Sequence, residues 1–127
     1  MPEYDGLHFA PAAPVARVEL RNPLNGSMAS DVLLLLDTGA DVTLLPRSAV
    51  EQLGVPPLPD LRYELVGFDG SKSFAPVAVL DMLFLKRAFR GRYLLTGEEH
   101  GILGRDILNH VSLLLDGPRQ QWAEHLP

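Results

Sequence analysis

The chain reads as short apolar stretches separated by turn-forming residues. Residues 15–21 alternate roughly between apolar and polar, V-A-R-V-E-L-R, the period-two pattern of a strand with one buried face. Residues 22–27 are a turn cluster in which Asn25-Gly26 is the strongest hairpin signal. Residues 29–36 end in a run of leucines, which predicts a strand buried on both faces. Thr38-Gly39-Ala40 turns the chain, and 42–45 is a third strand. Residues 46–53 predict a helix closed by Gly54, with Pro46 in its first turn and Ser48 and Glu51 at capping-box spacing. The proline-rich stretch 55–59 is a connector, because proline has no N–H to give to a helix or a ladder.

Further along, 61–66 and 73–85 are predicted strands joined by a turn at 67–70. Residues 86–91 predict another turn, 92–96 a strand, and 101–104 a short apolar strand bounded by glycines. Residues 105–110 predict a helix and 111–116 a strand, and Asp116-Gly117-Pro118 turns the chain into a C-terminal tail. There is no tandem repeat at solenoid period. The pattern is all-β with two short helices. Prolines at 2, 11 and 14 mark residues 1–14 as an extended N-terminal arm, leaving 15–127 as a single domain.

Composition narrows the chemistry. At 127 residues and 46% hydrophobic, the chain is one domain with enough apolar content for a core. A formal net charge of −5 argues against binding driven by phosphate neutralisation, so no nucleic-acid partner is expected. The absence of cysteine removes disulfides, thiolate catalysis and cysteine–zinc sites. The four histidines, His8, His100, His110 and His125, lack metal-ligand spacing, so no metal is expected. No stretch reaches the roughly 18 apolar residues of a membrane span, and the N-terminus does not read as a signal peptide. The expectation is a cytoplasmic protein with no membrane partner.

One short segment carries candidate chemistry. Asp37-Thr38-Gly39 sits between the apolar runs L-L-L-L and V-T-L-L. A carboxylate after four leucines needs a partner, a hydrogen-bond cradle or a chemical task. A second motif, I-L-G-R-D-I-L-N-H, follows at 102–110, and a glycine-bearing hairpin turn lies between them at 67–70. Asp-Thr-Gly after an apolar strand, the hairpin and the Ile-Leu-Gly-Arg segment, in this order, resemble the retroviral-type aspartic proteases (retropepsins) and their single-domain cellular and bacterial relatives. The resemblance spans roughly residues 15 to 116. It implies a closed retropepsin-like β-barrel, the acid protease fold, with one or two short helices. It also implies an aspartic endopeptidase.

The residue types suit that chemistry. Peptide hydrolysis by activated water needs a base for the water and an acid for the carbonyl oxygen and the leaving nitrogen. Two carboxylates sharing one proton supply both. Phe68-Asp69-Gly70 and Leu115-Asp116-Gly117 lack the middle hydroxyl, so the chain carries one half-site. The resemblance therefore implies a homodimer with Asp37 from each subunit on a two-fold axis. Thr38 and Gly39 complete the catalytic loop, and no cofactor is required. Ala40, Asp41, Val66, Gly67, Phe68, Asp69 and Gly70 are the expected substrate-binding residues, the last five forming a flap over an extended peptide or protein substrate. Asp41 and Arg105 are expected to pair and brace the active-site loop, with Gly104 in support. Ala40 stands where pepsin-like enzymes place a hydroxyl donor to the carboxylate, which predicts a weakly acidic rather than strongly acidic optimum.

Other readings compete. A strand-end turn explains Asp37-Thr38-Gly39 blandly. A non-catalytic retropepsin-like dimerisation or peptide-binding module explains the same motifs without hydrolysis. Asp41–Arg105 as an ordinary surface pair would contribute little. The basic cluster K-R-A-F-R-G-R at 86–92 reads as a solvated turn against the acidic total. Trp122 in the tail fits either a dimer interface or a cover for the core edge.

Overall fold

The computed structural model describes residues 2–67 and 69–126. In chain order its elements are β1 Tyr4–Asp5, β2 Ala13–Arg21, β3 Met28–Leu36, β4 Leu44–Pro46, α1 Arg47–Gln52, β5 Arg62–Val66, β6 Lys72–Phe84, β7 Arg87–Thr96, β8 Gly101–Leu103, α2 Arg105–Leu108, β9 Leu113–Asp116 and β10 Gln121–Glu124. Eight strands form one sheet in the order β1-β2-β3-β8-β4-β7-β6-β5, and β2 also pairs with β6, so the circuit of pairings returns on itself. The hydrophobic faces meet inside that circuit, where Leu20, Leu34, Leu45, Leu80, Met82 and Leu103 are fully buried. Each such side chain contributes about 1.5–3 kcal/mol of transfer free energy.

The run of leucines in β3 behaves as its sequence predicts only in part. Leu34 is fully buried, whereas Leu35 and Leu36 remain half-buried. β8 lies between β3 and β4: Leu34, Leu35 and Leu36 pair in parallel with Gly101, Ile102 and Leu103, and Leu44 pairs with Ile102 from the other side. The two strands that lead into residue 37 and residue 104 thus run side by side and end together. That parallel pairing places the two sequence motifs in one location.

Several boundaries differ from the sequence expectations. The turn expected at 86–91 is confined to Leu85-Lys86, and residues 87–91 extend β7. Both turn residues have positive φ, 52° and 61°, the conformation of a tight two-residue hairpin. Neither is Gly, Asn or Asp, the residues that ordinarily take this conformation, so the tight form and its place at 85–86 had no sequence signal. Within the basic cluster, Arg90 pairs with Asp81 and Arg87 with Glu124, while both arginine side chains stay exposed to solvent. Helix α1 starts at Arg47 with no side-chain cap bond, so Ser48 is inside the helix and the expected capping box is not formed. The arm and the tail contain β1 and β10. Tyr4 and Asp5 pair with Pro14 and Ala13, and Pro2 accepts a hydrogen bond from the Trp122 amide. Trp122 is buried, donates its indole N–H to Val15 at 2.8 Å and packs near Phe84, which resolves its role as core cover.

Asp81 is a buried carboxylate that holds two arginines. Arg90 donates to it at 2.7 and 3.1 Å and Arg21 at 3.0 and 3.3 Å. The Arg90 hydrogen bonds outweigh desolvation, and with Arg21 they hold this carboxyl down at about 2, against an ordinary 3.8. A depressed folded-state value stabilises above the unfolded value and loses that contribution as pH falls through the folded one. The guanidinium groups are partly solvated, which reduces the effect to about 1–2 kcal/mol. Urea unfolding should show that loss between pH 4 and pH 2, and Asp81→Asn should flatten it.

Candidate active site

Asp37 is the first residue past β3. Its amide donates to the Leu103 carbonyl at 3.0 Å, which fastens it to the end of β8. Its carbonyl accepts the Ala40 amide at 3.2 Å, and its Oδ1 accepts the Gly39 amide at 2.9 Å. A Cβ at residue 39 would stand 3.1 Å from that oxygen, tighter than ordinary van der Waals contact, so glycine suits the close approach of loop amide and carboxylate. Asp37 is half-buried, and Thr38 and Gly39 are exposed. The leucines flank the carboxylate without covering it in a single chain.

The loop is braced from below by the start of α2. The Arg105 amide donates to the Ala40 carbonyl at 2.9 Å, and its Nη1 donates to the Thr38 carbonyl at 2.7 Å. The expected Asp41–Arg105 ion pair is not formed: among the described residues the ion pairs include none between these two. Arg105 is drawn instead to the peptide carbonyl between the motif's Thr and Gly. The bracing survives with a different acceptor.

Two residues that the sequence reading did not single out finish the support. Thr43 is buried; its hydroxyl donates to Asp106 Oδ1 at 2.7 Å and accepts the Gly104 amide at 3.1 Å. The Thr43 amide donates to Asp106 Oδ2 at 3.1 Å. One side chain thus ties the segment after Asp37 to the segment before α2. The available signal was the Thr six residues past Asp37 and the carboxylate directly after Arg105. Thr43→Val preserves shape but leaves the Gly104 amide without an acceptor, and should destabilise by about 2–3 kcal/mol. Thr43→Ser should recover most of that in chemical denaturation.

The β5–β6 hairpin rises beside this loop. Its turn is closed by Gly67 donating to the Ser71 carbonyl at 2.9 Å and Gly70 donating to the Gly67 carbonyl at 3.0 Å, with Gly70 at φ +81°. Asp69 accepts the Ser71 amide at 2.9 Å, and Ser71 holds this carboxyl below its ordinary value. The expected site residue Phe68 lies outside the described residues. Between hairpin, loop and β7 is a cleft of about 490 Å³, lined by Asp41, Val42, Glu64, Leu65, Val66 and Arg92 among others. Of the expected substrate-binding residues, Asp41 and Val66 line it; Gly67, Asp69 and Gly70 form the hairpin turn. A larger cavity of about 650 Å³ lies under the N-terminal arm against Phe84 and Trp122, remote in sequence from every expected site residue. No cluster able to hold a metal ion occurs among the described residues.

Comparison with known proteins agrees with this geometry. A family model described as aspartyl protease matches residues 23–107. That span is more than half of the chain and contains Asp37-Thr38-Gly39 and the Ile-Leu-Gly-Arg part of the second motif. The chain belongs to the aspartyl protease family. Among solved structures, the protease of EIAV, complexed with the inhibitor HBY-793, is similar at 23% identity. The similarity covers 77% of this chain and 86% of that one, with a TM-score of 0.57. The fold is therefore the retropepsin-like fold. No curated protein matches. The aspartyl protease fold positions Asp37 by the pairing of β3 with β8, and Arg105 by the start of α2. No described helix of this aspartyl protease is long and apolar enough to cross a membrane.

Proposed function

We propose that this aspartyl protease is an endopeptidase whose site is shared by two copies of the chain, each giving Asp37. The observation that carries the reading is one Asp-Thr-Gly loop with an accessible, half-buried carboxylate in a chain of this family. Two like charges a few ångströms apart do not both ionise, so the pair holds one proton. The ionised Asp37 takes a proton from water as its oxygen adds to the scissile carbonyl carbon. The protonated Asp37 of the other copy gives its proton to the carbonyl oxygen, producing a tetrahedral diol. Return of a proton to nitrogen breaks the C–N bond, releases amine and carboxylic acid, and leaves one proton on the pair.

The cleft beside Asp41 and Val66 takes substrate side chains, and the β5–β6 hairpin acts as a flap that lays its backbone against an extended peptide. Thr38 locks the paired loops through its hydroxyl. Arg105 holds each loop rigid by its two carbonyl contacts, as preorganisation requires. Ala40 supplies no hydroxyl to the carboxylate, which favours a weakly acidic optimum. A mixed peptide library incubated from pH 3 to pH 8 and read by mass spectrometry tests this. Internal cleavage with a maximum between pH 4 and pH 7 is expected. Absence of cleavage at every pH would favour the peptide-binding module.

A further inference from the structure

The outer face of β6 and its neighbours carries a row of arginines. Asp81 in β6 lies opposite Arg21 of β2 and Arg90 of β7, and two residues along β6 Val79 lies opposite Arg92. Opposite and alternate residues of a sheet share a face, so the three arginines stand on one side of it. Asp81 is buried beneath them and takes Nε and Nη2 of both Arg21 and Arg90. The Arg21 and Arg90 side chains are thereby fixed in place while staying 36% and 66% exposed. Arg92 joins none of the ion pairs among the described residues, and it lines the cleft beside the Asp37 loop. The row therefore runs from the cleft wall onto the open sheet. Inside the cleft the charges are mixed: Arg92 shares it with Asp41, and Glu64 leans to Lys72 at 3.5 Å. From Arg92 outward the arginines outnumber Asp81, until Glu19 opposite Leu83 closes the row.

We infer that this arginine row is a docking strip for acidic residues in the flanks of the peptide substrate, outside the segment that the cleft holds. The inference rests on the endopeptidase reading and adds to it a preference in the substrate. Charge carries the argument: on a chain of net charge −5, a one-sided positive strip attracts anionic segments and turns basic ones away. Carboxylates suit it, because a guanidinium presents paired donors that match their two oxygens. Asp81 engages Nε and Nη2 of Arg21 and Arg90 and leaves Nη1 of each to meet another acceptor. Holding those groups in advance reduces the entropy lost on docking. Arg90 and Arg92 are two residues apart in one strand, about 6.6 Å along it. Side chains on one face of an extended peptide recur at that same spacing, so Asp or Glu at alternate positions matches the row. Two copies of the chain give one strip to each end of a shared site, so acidic residues in either flank are recognised.

The test mixes three peptide libraries that share one randomised core and differ in their flanks, with Glu, Gln or Lys at alternate flanking positions. They are offered at about pH 6, where free Glu is ionised. Mass spectrometry reads which peptides the unaltered chain cuts first and which peptides immobilised Asp37→Asn retains uncut. Glu-flanked peptides should lead Gln-flanked ones roughly fivefold in both readouts at low salt, and lose most of that lead in about 0.5 M NaCl. Arg92→Gln should bring the ratio close to one, and Arg92→Glu should turn it in favour of the Lys-flanked library. Circular dichroism of both variants should match the parent, since Arg92 gives up no ion pair. Equal cutting and equal retention of Glu- and Gln-flanked peptides, or a lead untouched by Arg92→Glu, overturns the strip while leaving the endopeptidase reading standing. If no library is cut, that reading fails and retention alone decides: an excess of Glu-flanked peptides supports the strip, and no excess overturns it as well.

Discussion

Asp37→Asn removes peptide hydrolysis, lowering the rate by roughly four orders of magnitude or more, while the chain stays folded. The amide side chain keeps the size of the carboxylate, and its oxygen still accepts the Gly39 amide seen at 2.9 Å. What it loses is the ability to take a proton from water. The shared site makes a sharper expectation. When the variant is mixed in excess with the unaltered chain, mixed dimers hold one carboxylate and are inactive. Activity should then fall more steeply than simple dilution of the active chain predicts. A strictly proportional fall would mean that each chain works alone, and retained cleavage in the pure variant would remove Asp37 from the chemistry. Thermal unfolding of the variant within a few degrees of the parent confirms that the loss is chemical.

Gly104→Ala should disrupt both stability and activity. A Cβ at this position would stand 2.5 Å from the Val42 carbonyl oxygen, 2.6 Å from its carbon and 3.0 Å from its amide nitrogen. All three atoms are backbone, so no side chain can rotate away. The segment that must shift runs from Val42 into Thr43, which accepts the Gly104 amide and holds Asp106. Overpacking of this kind costs about 3 kcal/mol. It also displaces Arg105 from the Thr38 and Ala40 carbonyls, so kcat should drop with stability. Gly97→Ala is the control: a Cβ there meets nothing within 4 Å. It should change stability by about 0.5 kcal/mol or less. Urea midpoints of the two variants side by side test the contrast, and equal midpoints would contradict the close approach.

Most of the strands could be placed along the chain because a strand's position depends on local pattern. The leucines of β3, the Asn25-Gly26 turn and the glycines around β8 all name their own conformations. The β2–β3 hairpin forms there with Gly26 at φ +76°, although through the six-residue loop 22–27 rather than a two-residue turn. What the sequence hid are features decided by tertiary partners. Leu85-Lys86 adopts positive φ without a turn residue, because the pairing of β6 with β7 through Phe84 and Arg87 imposes it. β1 and β10 form because Pro2, Tyr4, Gln120 and Trp122 find each other across the whole chain, a contact no window of residues reveals. Arg105 was legible as a brace, but its acceptor was not: choosing between the Asp41 carboxylate and the Thr38 carbonyl takes coordinates. Thr43 and Asp106 form a part-buried link across 63 residues, and only the parallel pairing of β3 with β8 makes them neighbours.

The central claim is one site for every two chains, and its most direct measurement is a titration. A tight-binding statine-type peptide, which mimics the tetrahedral diol, would be added to the folded protein at fixed concentration while heat of binding and residual cleavage are followed. The account predicts a break at one inhibitor per two chains, with no break for Asp37→Asn. A break at one inhibitor per chain would contradict the shared pair of aspartates.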